Sequence, residues 1–128
     1  MVTAYKVFYV NPKTKALHSL CQSPRVAPEF RAFKRRYDRT KWNYAKKEDI
    51  AKGYGLLIFD GFNAACEGKA YLYDFNLHIF LVEVDKMYVP DSNKLLVNYF
   101  GIKMLTLSGT WPFGTRMCNK LRVISMEY

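Results

Sequence analysis

Short runs of β-branched, aromatic and aliphatic residues recur along the chain and predict β-strands. The first run, Ala4–Val10, is followed by a turn-forming cluster at Asn11–Lys15 and a second run at Ala16–Cys21, an order that predicts a β-hairpin. Leu56–Phe59 is a continuous apolar run, as expected of a buried strand, and Leu77–Asp85 has the strongest strand pattern. Strands therefore dominate the predicted fold.

The end of the chain adds a further strand and a turn. Leu121–Met126 predicts a closing strand, and the two glycines and the proline of Gly109–Thr115 predict a rigid turn. We expect Trp111 and Phe113 to pin this turn to the core. An exposed Trp111 would instead be a candidate for binding a partner. Residues 94–107 are compatible with one or two strands or with a short helix.

Helical signals are short. Aromatic residues at helical spacing after Pro28 predict a helix over residues 29–36, followed by an extended segment over residues 41–45. Asp60 at an N-cap position and Gly68 at a stop position enclose a second helix of about six residues. These patterns predict α+β architecture.

Length and composition place these elements in one domain. The chain has 128 residues, half of them hydrophobic, which is the size and apolar content of a single folded domain and excludes wholesale disorder. We therefore predict one α+β domain over residues 1–128, with a mostly antiparallel sheet of about six strands and one or two short helices.

The cysteines, the first residues and the apolar runs all bear on the cellular compartment, and they agree with one another. The three cysteines form no CxxC pair, and we expect them to be small core residues. Residues 1–6 lack the pattern of a secretion signal, and the longest apolar runs fall short of the ~20 residues that cross a membrane. The sequence predicts a cytoplasmic protein without membrane contact.

The positive charge is concentrated in the first two-fifths of the chain. Residues 1–52 contain thirteen Lys or Arg and four Asp or Glu, which accounts for the whole net charge of +9, whereas residues 53–128 are balanced. The densest window, Arg31–Lys47, holds eight basic residues and one acidic residue, Asp38. Such asymmetry indicates a surface that meets a polyanion.

Aromatic residues alternate with the cations of this window. Single-stranded nucleic acid is bound by cations along its phosphates and by flat rings on which its bases stack. On a helix, Arg31, Lys34 and Arg35 would share one stripe and the aromatic residues would face the core. A charged surface in contact with solvent alone explains the same composition. The predicted nucleic-acid-binding residues are Arg31, Lys34, Arg35, Arg36, Arg39, Lys41, Trp42, Tyr44, Lys46 and Lys47.

Catalytic chemistry has fewer candidates. Glu83 and Asp85 lie two residues apart on a predicted strand and would share a face, where two carboxylates can bind a divalent metal. An ordinary strand end opposite basic residues accounts for them more simply, and His78 reads as a half-buried histidine. Asp60 follows a buried strand, where enzymes often place a carboxylate. We predict no catalytic residue, no metal and no cofactor.

One overall pattern resembles a known group. The chain begins with Tyr5-Lys6-Val7, has the run Gly53–Asp60 in its centre, continues with Ile79–Val84, and has Gly114-Thr115 before the last strand. This pattern resembles small uncharacterised α+β proteins of bacteriophage and bacterial genomes. The resemblance implies a phage or mobile-element origin and a protein that binds and blocks host machinery. If the protein is encoded by a phage, its expected location is the host cytoplasm. It carries no catalytic residues.

The predicted function is non-catalytic binding. We expect a basic, aromatic-rich surface over about residues 25–52 to engage nucleic acid or a nucleoprotein complex. The first alternative is an inhibitor that docks on an acidic protein surface, using Trp111. The second alternative is a small enzyme acting on nucleotides or nucleic acid through Glu83, Asp85 or His78.

Overall fold

The structure, a computed structural model, describes residues 2–19, 35–51, 55–70, 74–89 and 113–128. Within these ranges it contains eight β-strands and two short α-helices. In chain order they are β1 (Val2–Val10), β2 (Leu17–Ser19), β3 (Arg36–Tyr37), β4 (Asn43–Tyr44), α1 (Lys47–Ala51), β5 (Leu56–Phe59), α2 (Phe62–Ala70), β6 (Leu77–Val84), β7 (Thr115–Cys118) and β8 (Lys120–Met126).

All eight strands belong to one antiparallel sheet with β1 at its centre. The main path runs β3-β2-β1-β6-β8-β4. One edge of β1 pairs with β6 from Val2 to Tyr9, and its other edge is divided between β2 and β5. β5 also pairs with β7, and a bridge from Tyr88 to Met117 joins β7 to the segment after β6. The sheet is therefore curled and nearly closed.

The inner side of the curled sheet holds the main core. Alternate residues of β1 point inward, and Ala4, Phe8 and Val10 pack there against side chains from the other strands. Phe8 is fully buried, and its ring makes edge-on contacts with Tyr37 and Phe80 at centroid distances of 5.0 and 5.3 Å. These aromatic pairs tie β1, β3 and β6 together.

Lys6 is a charged residue on this inner side. Its side chain is buried, and Nζ donates a hydrogen bond to the carbonyl oxygen of Leu57. Nζ also lies 5.6 and 5.1 Å from the ring centroids of Phe8 and Tyr37. Aromatic faces and a carbonyl group are favourable surroundings for a desolvated ammonium group.

Helix α2 covers part of the outer side of the sheet and packs on β1, β5 and β6. It contributes only small buried residues, Ala64, Ala65 and Gly68, so the helix lies close to the strands. A Cβ at Gly68 would collide with the ring of Phe59. The prediction that Gly68 ends this helix is therefore wrong: the helix continues to Ala70, and the glycine is needed for close packing.

The strands predicted within the described ranges are confirmed, with adjusted ends. The hairpin of β1 and β2, the buried strand β5, the long strand β6, the closing strand β8 and the extended segment around β4 all occur. Two strands, β3 and β7, and helix α1 were not predicted. The protein is mostly β, and α+β describes it only loosely because the helices are short.

Three local predictions are corrected by the structure. The helix predicted over residues 29–36 is wrong in its described end, because Arg36 pairs with His18 in a strand; residues 29–34 lie outside the described residues. Phe113 is 82% exposed rather than pinned to the core. Asp60, predicted at the N-cap, precedes α2 by two residues, because the helix begins at Phe62. Its carboxylate instead forms an ion pair with Arg116 at 3.1 Å.

Other predictions fall partly or wholly outside the described ranges. Trp111, Cys21 and residues 94–107 lie outside them. Cys118 is buried as expected of a core residue, and Cys66 is partly buried on α2. In the described part of the chain, no helix is long and apolar enough to cross a membrane.

Candidate nucleic-acid interface

Strands β4 and β8 carry aromatic and cationic side chains on their outer side. Asn43 is paired with Leu121 in the register, and both side chains are buried. Because side chains alternate along a strand, the paired Tyr44 and Lys120 point to the opposite, outer side. Trp42 and Arg122 occupy the next outward positions. We call these four residues, Trp42, Tyr44, Lys120 and Arg122, the β4–β8 outer face.

The cations of this face lie against its rings. Lys120 Nζ is 4.7 Å from the ring centroid of Trp42 and 5.9 Å from that of Tyr44. The Arg122 Cζ atom is 5.1 Å from the Trp42 centroid. Trp42 is half-buried under these contacts, whereas Tyr44 is 59% exposed. The face thus offers one open aromatic ring beside a ring that holds two cations in place.

A buried amide holds the turn that leads into β4. The Asn43 side-chain oxygen accepts a hydrogen bond from the Asp38 backbone N–H at 2.7 Å. Its Nδ2 donates to the carbonyl oxygens of Asp38 and Lys41 at 3.0 and 3.1 Å, with a longer contact of 3.4 Å to Leu121. Asn43 thereby fixes the backbone on both sides of the turn and the direction of Trp42.

The only acidic side chain of this turn is occupied by the turn itself. The Asp38 carboxylate accepts hydrogen bonds of 2.8 Å from the backbone N–H and from the hydroxyl of Thr40. The backbone bond from Thr40, followed by its hydroxyl, lowers the pKa of Asp38 below its ordinary value. Asp38 is therefore an anion whose carboxylate is hydrogen-bonded within its own turn. It forms no ion pair with the neighbouring cations of the described residues, which remain available to other groups.

The structure places five of the predicted binding residues on or beside the β4–β8 outer face and two in a separate cleft. Trp42 and Tyr44 lie on the β4–β8 outer face, and Lys41, Lys46 and Lys47 are exposed on either side of it along the chain. Arg36 and Arg39 line a separate cleft beside β2. Arg35 lies over the ring of Tyr37 at 5.1 Å. Arg31 and Lys34 lie outside the described residues.

Sequence reasoning missed Lys120 and Arg122. The alternation Lys120-Leu121-Arg122 in a predicted strand does indicate two cations on one face. The pairing of β8 with β4, more than seventy residues earlier in the chain, is what brings them to Trp42. A charge count along the sequence assigns them to the neutral half of the chain and overlooks them.

Most of the predicted binding cations form no ion pair with a carboxylate in the described part of the chain. Arg122 forms an ion pair with Glu83 of β6 at 2.9 Å. The second ion pair found among the described residues joins Arg116 to Asp60. Within that part of the chain, Arg36, Arg39, Lys41, Lys46 and Lys47 therefore have no carboxylate within 4.0 Å.

The candidate catalytic residues have structural partners instead. Glu83 pairs with Arg122, and Asp85 accepts hydrogen bonds from the backbone N–H groups of Asn119 and Lys120 at 3.1 and 3.2 Å. His78 lies five residues from Glu83 and so on the opposite side of β6, and its Nδ1 lies 3.3 Å from the Tyr128 carbonyl oxygen. These side chains converge on no common point.

Two further observations concern nucleophiles and metals. Burial raises the pKa of the Cys118 thiol to about 12, so at neutral pH it is protonated and a poor nucleophile. Among the described residues, no group of three or more His, Cys, Asp or Glu side chains is placed to hold a metal ion.

Comparison of the chain with protein-family models, with curated proteins and with solved structures gives no match.

Proposed function

We propose that the protein binds single-stranded nucleic acid, free or exposed within a nucleoprotein complex, without catalysing a reaction on it. The carrying observation is the β4–β8 outer face, on which Trp42 and Tyr44 lie beside Lys120 and Arg122. An open ring next to fixed cations suits a base and its phosphate at the same time. The exposed lysines Lys41, Lys46 and Lys47 flank Trp42 and Tyr44 along the chain and supply further contacts for the phosphates of a bound nucleic acid.

The two aromatic residues have different roles in this proposal. Tyr44 has the exposed ring on which a base stacks, whereas Trp42 positions the Lys120 and Arg122 heads for phosphates. A base can also stack over the guanidinium plane of Arg122. Because every base has a flat face, such a surface distinguishes single from double strands more than it distinguishes sequences.

The first test is fluorescence anisotropy with labelled single-stranded and double-stranded DNA and RNA. We expect single strands to bind more tightly, with log K falling against log salt at a slope of about −3 to −5, as ~4–6 neutralised phosphates predict. Absence of binding to every oligonucleotide at low salt would contradict the proposal and favour an acidic protein surface as the partner.

The variants Tyr44→Ala and Phe75→Ala form a matched pair for this assay. Both remove an exposed aromatic ring, but Phe75, which is 96% exposed, lies away from the face, between α2 and β6. We expect Tyr44→Ala to weaken binding about tenfold, the loss of one stacked base, and Phe75→Ala to leave it unchanged. Equal effects of the two variants would exclude Tyr44 as a specific stacking platform.

Releasing Arg122 from its ion pair should strengthen binding. Glu83 competes with a phosphate for the guanidinium group, so we expect Glu83→Gln to tighten binding about twofold to fivefold, the range of an exposed ion pair. Glu67→Gln on α2 makes the same change of net charge and is the control. An equal gain in both variants would show that only the overall charge matters.

A further inference from the structure

A second, separate basic feature lies where the turn between β3 and β4 meets the β1–β2 turn. It is a cleft of about 530 Å³, lined by Lys15 and Leu17 on one side and by Arg36, Tyr37, Arg39 and Asn43 on the other. Its volume lies in the range of clefts that hold small molecules, about 300–1,000 Å³. The cleft is large enough for a mononucleotide.

The lining of the cleft carries a net positive charge, from three cations and one carboxylate. Lys15, Arg36 and Arg39 contribute three cations, and no carboxylate in the described ranges lies within 4.0 Å of them. The one acidic residue of the lining, Asp38, is engaged by Thr40 through two hydrogen bonds. A dianionic group would therefore meet three cations that form no ion pair, beside the single negative charge of Asp38.

Arg39 is held in a fixed orientation in this cleft. Its Nη2 donates a hydrogen bond to the Lys15 carbonyl oxygen at 2.7 Å, and its Cζ lies 5.5 Å from the ring centroid of Phe80. A guanidinium group has five N–H donors, so several remain for a ligand. Because the side chain is ordered before binding, little conformational entropy is lost when it meets an anion.

We propose that this cleft binds a phosphate monoester, carried by a free mononucleotide or by the terminal phosphate of a nucleic-acid strand. A monoester carries about −1.5 to −2 charges at pH 7, whereas an internal phosphodiester carries one. Three clustered cations with a planar, bidentate donor favour the more highly charged group. The inference concerns a site distinct from the β4–β8 outer face and does not require strand binding there.

The test compares three probes: a single-stranded hexanucleotide with a 5′-phosphate, the same strand with a 5′-hydroxyl, and a free nucleoside monophosphate. For a strand terminus as the source, we expect the phosphorylated hexanucleotide to bind about tenfold tighter than the hydroxyl form and the monophosphate to bind weakly. For a free mononucleotide as the source, the monophosphate binds at least as tightly as either strand. Equal affinity for both strands together with no binding of the monophosphate overturns the proposal.

Charge-matched variants locate the effect. Arg39→Gln should abolish the preference for the monoester, whereas Lys69→Gln, which removes one charge from α2, should leave it intact. Arg36→Gln, at an exposed position of β3, serves as a second cleft variant if Arg39→Gln unfolds. A preference that survives both cleft variants contradicts the assignment.

The titration of the ligand supplies an independent readout. The second ionisation of a phosphate monoester has a pKa near 6, so the preference should shrink between about pH 7 and pH 5 while binding of the hydroxyl strand changes little. If the proposed strand binding fails, the strand with a 5′-hydroxyl does not bind. If the monoester site fails, only the preference for the phosphorylated strand is lost, so the two failures are distinguishable. A preference that is constant with pH would contradict recognition of the dianion.

Discussion

Replacement of Phe8 by alanine is expected to lower the free energy of unfolding by about 3–5 kcal/mol, the usual cost of removing a fully buried phenylalanine ring. Phe8 is completely buried on the inner side of the sheet and contacts the rings of Tyr37 and Phe80. Its removal leaves a cavity between three strands that are far apart in sequence. Urea unfolding monitored by circular dichroism measures the loss.

Two variants make this measurement specific. Phe8→Leu retains much of the volume and should cost distinctly less than the alanine variant, because a smaller cavity remains. Phe75→Ala removes the same number of carbon atoms from an exposed ring and should change the stability by no more than about 0.5 kcal/mol. A loss below about 1.5 kcal/mol for Phe8→Ala would mean that the interior does not pack around this ring as described.

Most strands could be predicted from the sequence because their residues form local patterns that are typical of strands. Val2–Val10 and Leu77–Val84 combine β-branched and aromatic residues, and the turn after β1 has the residues that turns need. The two-residue strand β3 has no such pattern, and β4 lies in a segment that the sequence predicts only as extended. Each is extended because a neighbour, β2 or β8, supplies its hydrogen bonds. Tertiary pairing decides the conformation of segments this short.

Burial was harder to predict than secondary structure. Lys6 lies in a strand of apolar residues and is buried, because Leu57 and two aromatic rings surround its ammonium group. Phe113, in contrast, is apolar and exposed beside Gly114, whose positive φ of 79° makes the turn into β7. Polarity alone therefore assigns both residues to the wrong environment.

The candidate interface was predicted in its residue types and only in part in its geometry. The sequence places Trp42 and Tyr44 among cations, and the structure puts them on one outward strand face. The cations that contact the Trp42 ring, Lys120 and Arg122, come from the other end of the chain. Long-range strand pairing creates the site, and the local pattern of a single sequence does not reveal such pairing.

Asn43 connects the stability of the protein to both candidate binding surfaces. Its buried amide makes three hydrogen bonds to the turn at Asp38 and Lys41, and this turn carries Arg39 into the cleft and Trp42 onto the outer face. Asn43→Ala leaves an N–H group and two carbonyl oxygens of the backbone without that partner. We expect the free energy of unfolding to fall by about 2–4 kcal/mol, the cost of several lost hydrogen bonds at a buried site.

The binding readouts distinguish a positioning role from a purely structural one. At a temperature where Asn43→Ala remains folded, we expect weaker binding of the hydroxyl strand and a smaller preference for the phosphate monoester, because Trp42 and Arg39 are no longer fixed. Asn63→Ala, on the exposed side of α2, should leave stability and binding unchanged. Asn43→Asp keeps the acceptor for the Asp38 N–H but sets a second carboxylate oxygen against carbonyl oxygens, so it should be no better than alanine. Full binding by a destabilised Asn43→Ala would contradict the positioning role and leave Asn43 a structural residue only.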